Sequence, residues 1–307
     1  MRHLTSLFDV TSAEVREILQ LAAKLKLQTK NGKREALCQR MVLTQVFEKP
    51  SLRTRVSFEA GMNQLGGTSI FMTSKEAGFD GRETKEDIAR VLGGYSDLIV
   101  LRTFSQELIE VFAKFADCPV INGLSDDFHP CQALTDVLTI EESTGNIAGQ
   151  HVVYVGDGNN VAKSLALICG HLGAAFTVAA PAGYELPESF VAKLQSQFPK
   201  LELKHSQDAF QAVRHADVIY TDVWASMGQE AEKEKRAREF SAFQVTKKLL
   251  DAAGPKVLFM HCLPARRGLE VSADAMDDPR SIIFTQAENR MHLAKGLMVW
   301  LLEQAGK

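Results

Sequence analysis

The chain has 307 residues, 45% of them hydrophobic, which suffices for two domains of about 150 residues, each with its own core. Its 35 basic and 38 acidic residues leave a formal charge of −3. That balance argues against a nucleic-acid or anionic-membrane partner and favours a small ligand in a cleft between two domains. No run approaches the roughly 18 apolar residues of a membrane span, and residues 1–10 lack a basic-then-apolar signal, so a cytoplasmic protein is expected. Five scattered cysteines (Cys38, Cys118, Cys131, Cys169, Cys262) form no Cys-x-x-Cys pair. Reduced thiols are expected, with no metal site.

Thr11-Ser12-Ala13-Glu14 has the form of a capping box, and Val15, Ile18, Leu19, Ala22 and Leu25 follow at helical spacing. Apolar runs at 41–47, 68–72, 98–101 and 119–122 read as buried strands, separated by helical stretches at 57–65, 83–95 and 106–116. Such alternation predicts a parallel sheet covered by helices. A linking helix is expected over 130–142, and the small and polar stretch 144–150 marks a domain boundary. Strands then resume at 152–155, 176–179, 218–221, 257–260 and 282–284, and a helix closes the chain over 288–304. The expectation is α/β, with two doubly wound parallel-sheet domains, 1–145 and 146–307, and the active site in the cleft between them. The run 230–239 carries four acids and four bases; its charge cancels, which reads as a solvated helix.

Several segments at strand ends carry chemistry-bearing residues. Ser51-Leu52-Arg53-Thr54-Arg55 precedes a helix, where free backbone N–H groups, hydroxyls and guanidiniums can trap a phosphate. The plainer alternative is a capped helix with two exposed arginines, since the Walker glycines and lysine are missing. His129 and Gln132, in Phe128-His129-Pro130-Cys131-Gln132, lie one turn apart and can donate to a carbonyl that gains charge; a structural His-Pro turn is the alternative. Arg102 adds a polar group at the same sheet edge. In Gly156-Asp157-Gly158-Asn159-Asn160, Val161 stands where a dinucleotide fingerprint has its third glycine, and no acid ends the next strand, which counts against a nicotinamide cofactor. Asn160 then faces a small polar substrate. Asp222-Val223-Trp224-Ala225-Ser226-Met227-Gly228 offers a carboxylate for an ammonium group, then the small residues of a mobile loop, or else an ordinary surface loop. His261 and Cys262 are adjacent on a strand and expected on opposite faces, so they are not read as a nucleophilic dyad.

In this order and spacing the segments resemble the aspartate/ornithine carbamoyltransferase family over nearly the whole chain. The carbamoyl-phosphate signature is similar to Phe47-Glu48-Lys49-Pro50-Ser51-Leu52-Arg53-Thr54-Arg55-Val56-Ser57-Phe58-Glu59, followed by Arg102 and His129-Pro130-Cys131-Gln132. Leu52 departs from the threonine of many ornithine-using members, at a position used through its backbone; some acylornithine-using relatives carry an apolar residue there. The loop 222–228 and His261-Cys262-Leu263-Pro264 resemble the ornithine-using branch. The resemblance implies that Ser51, Leu52, Arg53, Thr54, Arg102, His129, Gln132, Cys262, Leu263 and Arg290 bind carbamoyl phosphate. It further implies that Asn160, Asp222, Ser226, Met227, Cys262 and Leu263 bind L-ornithine, and that Arg102, His129, Cys262 and Arg290 are catalytic. It implies acyl transfer in arginine biosynthesis with no metal and no cofactor, a homotrimer, and a C-terminal helix of about 288–305 packing back on the first domain. The catabolic direction, and N-acylornithine or putrescine as acceptor, are the alternatives.

Overall fold

The computed structural model describes residues 1–225 and 230–307. By internal contacts it divides into two compact units, Met1–Leu138 with Glu288–Lys307, and Thr139–Ala287.

The first unit opens with α1 (Ser12–Lys30), which starts at a full capping box: Thr11 Oγ1 accepts from the Glu14 amide, and Glu14 Oε2 accepts from the Thr11 amide at 2.7 Å. The strands β1 (Val42–Phe47), β2 (Thr68–Thr73), β3 (Leu98–Arg102) and β4 (Val120–Leu124) are joined through α2 (Leu52–Gln64), α3 (Lys85–Tyr95) and α4 (Gln106–Phe115). They form a parallel sheet in the order β2-β1-β3-β4. The order reverses between β1 and β3, so the loops after these two strands part and open a crevice at their carboxyl ends, where α/β sheets bind ligands. Val46, Ile99, Leu101, Ile109 and Phe112 fill the core on one side of the sheet. Helix α2 begins at Leu52, five residues before the expected 57, because Ser51 caps it by accepting from the Thr54 amide. Arg53 and Thr54 therefore sit in its first turn, not in a preceding loop.

Helix α5 (Pro130–Thr144) follows β4, and the second unit comprises β5 (His151–Val155), α6 (Asn160–Leu172), β6 (Ala175–Ala179), α7 (Glu188–Gln197), β7 (Leu203–Ser206), α8 (Ala209–Ala212), β8 (Val218–Thr221), α9 (Lys233–Glu239), α10 (Lys247–Ala253), β9 (Leu258–His261) and α11 (Ala273–Met276). Its parallel sheet runs β7-β6-β5-β8-β9, with the order reversing between β5 and β8. The edge strand β7, polar and without an apolar run, carries no strand signature in the sequence.

The last helix, α12, spans Ile283–Gln304. The strand expected over 282–284 is therefore absent: Ser281 makes one isolated bridge to Phe259, and the helix starts two residues later. Ile283 is buried while Phe284 is 66% exposed. Three apolar residues do not separate strand from helix by period, and here the backbone pairing ends after one bridge. Within the first unit α12 lies against α1 so closely that a Cβ on Gly296 would fall 2.6 Å from the Ala22 nitrogen; only glycine fits that approach. Trp300 Nε1 donates to Glu17 Oε2 at 2.9 Å across the same contact. No helix among the described residues is long and apolar enough to cross a membrane.

Candidate active site

At the crevice of the first unit, polar side chains from four elements converge. Thr54 is fully buried, and its hydroxyl accepts from Arg290 Nη2 at 2.9 Å and from Arg102 Nη1 at 3.3 Å. Arg102 is the last residue of β3, and Arg290 comes from α12. Arg290 Nη1 donates to Gln132 Oε1 at 2.6 Å, and Gln132 Nε2 donates to Asp136 Oδ1 at 2.8 Å, one turn along α5. Gly123, in β4, makes this packing possible, since a Cβ there would meet the Leu101 carbonyl at 3.0 Å and Thr54 Cγ2 at 3.3 Å.

His129 caps the same cluster. Burial first, then the charges of Arg290 and Arg102, hold its pKa well below the usual histidine value. The imidazole is therefore neutral near pH 7 and can donate one N–H without adding charge. Burial also pushes the Cys131 thiol up to about 12; its Sγ donates to the Asn122 carbonyl, so it is a structural thiol. Lys49 pairs with Asp126 and lies 4.2 Å over the Phe104 ring, tying together the segments after β1, β3 and β4.

Ser51, Thr54, Arg102, His129, Gln132 and Arg290 are thus gathered at one sheet edge. Arg53 is half-buried in the first turn of α2. Leu52 is 73% exposed.

At the crevice of the second unit, Asp222 follows β8 and is buried. Its Oδ1 accepts from Cys262 Sγ at 3.0 Å, and its Oδ2 from Asn159 Nδ2 at 3.3 Å. Asn159 caps α6, accepting from the amides of Val161 and Ala162 while Tyr154 Oη donates to the same Oδ1 at 3.2 Å. Asn160, the residue expected to face the substrate, is half-buried as the first residue of α6; the hydrogen bond to Asp222 comes from Asn159, which sequence reasoning did not single out. The available signal was an Asn directly after a Gly-x-Gly turn, in capping position. Ser226 and Met227 lie outside the described residues.

Strand β9 ends at His261, so the alternation expected to separate His261 from Cys262 stops there. Instead, one ligand atom each from Asp222, His261 and Cys262 lie within 4.8 Å of one another. The two residues are nonetheless committed to different partners. His261 Nδ1 accepts from the Leu263 amide at 2.8 Å, which leaves Nε2 to carry the proton and donate to Glu270 Oε1 at 3.2 Å. Both imidazole nitrogens are engaged, so a cation at this trio would have to displace one of them. Leu263 adopts the left-handed conformation, with φ 59°, before a cis bond to Pro264. The His261–Glu270 pair, 1% exposed at both residues, fixes this turn and gave no sequence signal, since nine positions separate its members.

Chemically, the first cluster is a cationic pocket at a helix N-terminus with a neutral imidazole beside it, suited to a phosphate bearing an acyl carbonyl. The second offers a carboxylate and a thiol at a sheet switch point, suited to an amino-acid ligand. Comparison with known proteins agrees with both halves. Residues 2–142 match the carbamoyl-P binding domain, and residues 148–301 the Asp/Orn binding domain, of aspartate/ornithine carbamoyltransferase. The ornithine carbamoyltransferase of Pyrococcus abyssi is 49% identical over 306 residues, 98% of this chain and 96% of that protein. The solved ornithine carbamoyltransferase of Pyrococcus furiosus superposes with a TM-score of 0.95 at 46% identity, covering 98% of this chain and 97% of that one. The anabolic enzyme of Campylobacter jejuni gives 0.93 at 33% identity, covering 99% of this chain and 100% of that one. The chain belongs to the aspartate/ornithine carbamoyltransferase family.

Proposed function

We propose that the protein transfers the carbamoyl group of carbamoyl phosphate to the side-chain amine of L-ornithine, giving L-citrulline and phosphate. The observation that carries this reading is the convergence of Arg102 and Arg290 on the Thr54 hydroxyl beside a neutral His129. Ser51, Arg53, Thr54 and Arg102, with the backbone at the N-terminus of α2, bind the phosphate. Arg102 and His129 donate to the carbonyl oxygen, and Gln132 and Arg290 hold the carbamoyl group.

Ornithine arrives with its δ-amine protonated, at a pKa near 10, and must lose that proton before attack. The nitrogen lone pair then adds to the carbamoyl carbon and the C=O π pair moves onto oxygen. That oxyanion is stabilised by donors already oriented and shielded from water. When the π pair returns, the C–O bond to phosphorus breaks. Phosphate leaves with its electron pair and takes the surplus proton from nitrogen. Asp222 and Asn160, with Asn159 beside them, bind the α-ammonium and α-carboxylate end, while the Cys262 thiol and the Leu263 carbonyl orient the attacking nitrogen. Cys262 acts without forming a covalent intermediate in this reading, because its thiol donates to Asp222 and both nitrogens of the adjacent His261 are engaged by Leu263 and Glu270.

Relatives named anabolic support a place in arginine biosynthesis. The proposal includes a cytoplasmic homotrimer, which light scattering would detect as a mass three times the chain's 33.8 kDa. The purified protein should form citrulline from carbamoyl phosphate and ornithine with no metal added; no citrulline at saturating substrates would contradict the reading.

A further inference from the structure

The run 230–239 has the composition of a solvated surface helix, yet Arg236 within it is only 7% exposed. From α9 its guanidinium reaches three segments. Nη1 donates to Asp157 Oδ2 at 2.6 Å and to the Trp224 carbonyl at 3.0 Å, and Nε donates to Glu232 Oε2 at 2.8 Å. Asp157 lies in the turn after β5 and Trp224 in the segment after β8, the two strands between which the sheet order reverses.

These two segments also carry Asn159 and Asp222. The Asp157 carbonyl accepts from the Asn159 amide at 2.7 Å, and Asn159 in turn reaches Asp222. The turn is held from its other side by Tyr184, whose carbonyl accepts from the Gly158 amide at 2.8 Å. A Cβ on Gly158 would fall 2.5 Å from the Glu185 carbonyl, so backbone packs on backbone there. The Arg236 guanidinium stacks 4.9 Å over the Tyr184 ring, and the Tyr184 hydroxyl donates back to Glu239 of α9 at 2.5 Å. Two of the contacts that position the turn, through Asp157 and through Tyr184, therefore lead to α9.

We propose that Arg236 is a positioning residue of the acceptor site, setting the spacing between the Asp157–Asn160 turn and the Asp222–Trp224 segment so that Asn159 and Asp222 together fit the α-ammonium and α-carboxylate of an amino acid. The inference rests on the carbamoyl-transfer reading above and adds to it a residue that touches neither substrate. A planar guanidinium serves two acceptors in a fixed relation, which an ammonium on a flexible stem does not. Burial raises the Asp157 pKa, and the Arg236 guanidinium beside it opposes that rise.

Steady-state kinetics of the wild type, Arg236→Lys, Arg236→Gln, Asp157→Asn and the Arg236→Gln/Asp157→Asn double variant, with each substrate varied in turn, test the proposal. Arg236→Gln is expected to raise the ornithine KM by roughly tenfold or more, as loss of a charge-assisted contact does, with the carbamoyl-phosphate KM moving by less than about twofold. Arg236→Lys should recover only part of the loss. The double variant should be no worse than Arg236→Gln, because both changes remove the same contact. An unchanged ornithine KM, or equal changes in both KM values, would overturn the proposal.

Amide hydrogen exchange of the free proteins gives a second readout that needs no turnover. Arg236→Gln should speed exchange over 156–160 and 222–225 and leave 51–57 unchanged. Unchanged exchange, or an equal rise everywhere, would overturn the positioning role. If the wild type forms no citrulline, the substrate reading falls and exchange alone decides whether the clamp exists.

Discussion

Arg290 and Thr54 stand 236 positions apart in the chain and are joined by a 2.9 Å hydrogen bond from guanidinium to hydroxyl. Arg102 donates to the same oxygen. Two buried cations sharing one neutral acceptor repel each other, and an anion at this point relieves that repulsion. The cluster is built for a ligand more negative than the hydroxyl it now surrounds.

Thr54→Val keeps the shape of the side chain and removes that acceptor. Hydrogen bonds to charged groups contribute about 1.5–3 kcal/mol, so kcat/KM for carbamoyl phosphate is expected to fall roughly tenfold or more, with the ornithine KM nearly unchanged. Kinetics with each substrate varied would show it. An unaltered carbamoyl-phosphate KM would remove Thr54 from the phosphate site.

Cys262→Ala removes the donor to Asp222 Oδ1. Ornithine use should weaken and turnover slow, while carbamoyl-phosphate binding, followed by calorimetry, stays as in the wild type. Trapping of a kinetically competent carbamoyl-thioester on Cys262 would show that the thiol is a nucleophile after all.

Protonation should act on stability in one direction. His129 is held well below its usual pKa by burial and then by Arg290 and Arg102, and His292 is lowered to about 4 by burial and then by Lys295 and Lys26. Below about 6.5 the unfolded chain binds protons at these histidines and the folded chain does not. Stability is therefore fully present above that pH and declines as pH falls through the window toward 4. Thermal unfolding between pH 7 and 4 should show a shallower decline for His292→Gln than for the wild type. Identical slopes would mean that His292 titrates normally in the folded chain.

Most of the residues expected to bind carbamoyl phosphate were legible because they mark a strand end or helix start: Ser51 and Thr54 after β1, Arg102 closing β3, His129 and Gln132 opening α5; Arg290, well inside α12, was named only through the family resemblance. Short-range pattern and the rule that α/β sheets bind ligands at their carboxyl edges sufficed for them. What escaped depended on burial created by tertiary packing. Arg236 looked solvated because its run is charge-balanced, and only the fold turns it inward. The His261–Glu270 pair forms across a left-handed turn that no propensity announces. Strand β7 is polar because it lies at a sheet edge, so period-2 patterning had nothing to register. Residues 282–284 were too few for the helical period to show.

Ornithine is the proposed acceptor chiefly because of the buried carboxylate of Asp222. Acetylation of the α-nitrogen would turn the ammonium that pairs with this buried carboxylate into a neutral amide. Putrescine, with no α-substituents, would leave Asp222, Asn159 and Asn160 without the ligand groups they are proposed to bind. Sites built to bind a polar group reject analogues lacking it by up to about 10⁴ to 10⁵. The most direct measurement is kcat/KM for L-ornithine, N-acetyl-L-ornithine and putrescine, side by side at saturating carbamoyl phosphate. Ornithine is expected to be preferred by at least roughly 10² over both, and equal turnover of either analogue would contradict the assignment of Asp222 and with it the identity of the acceptor.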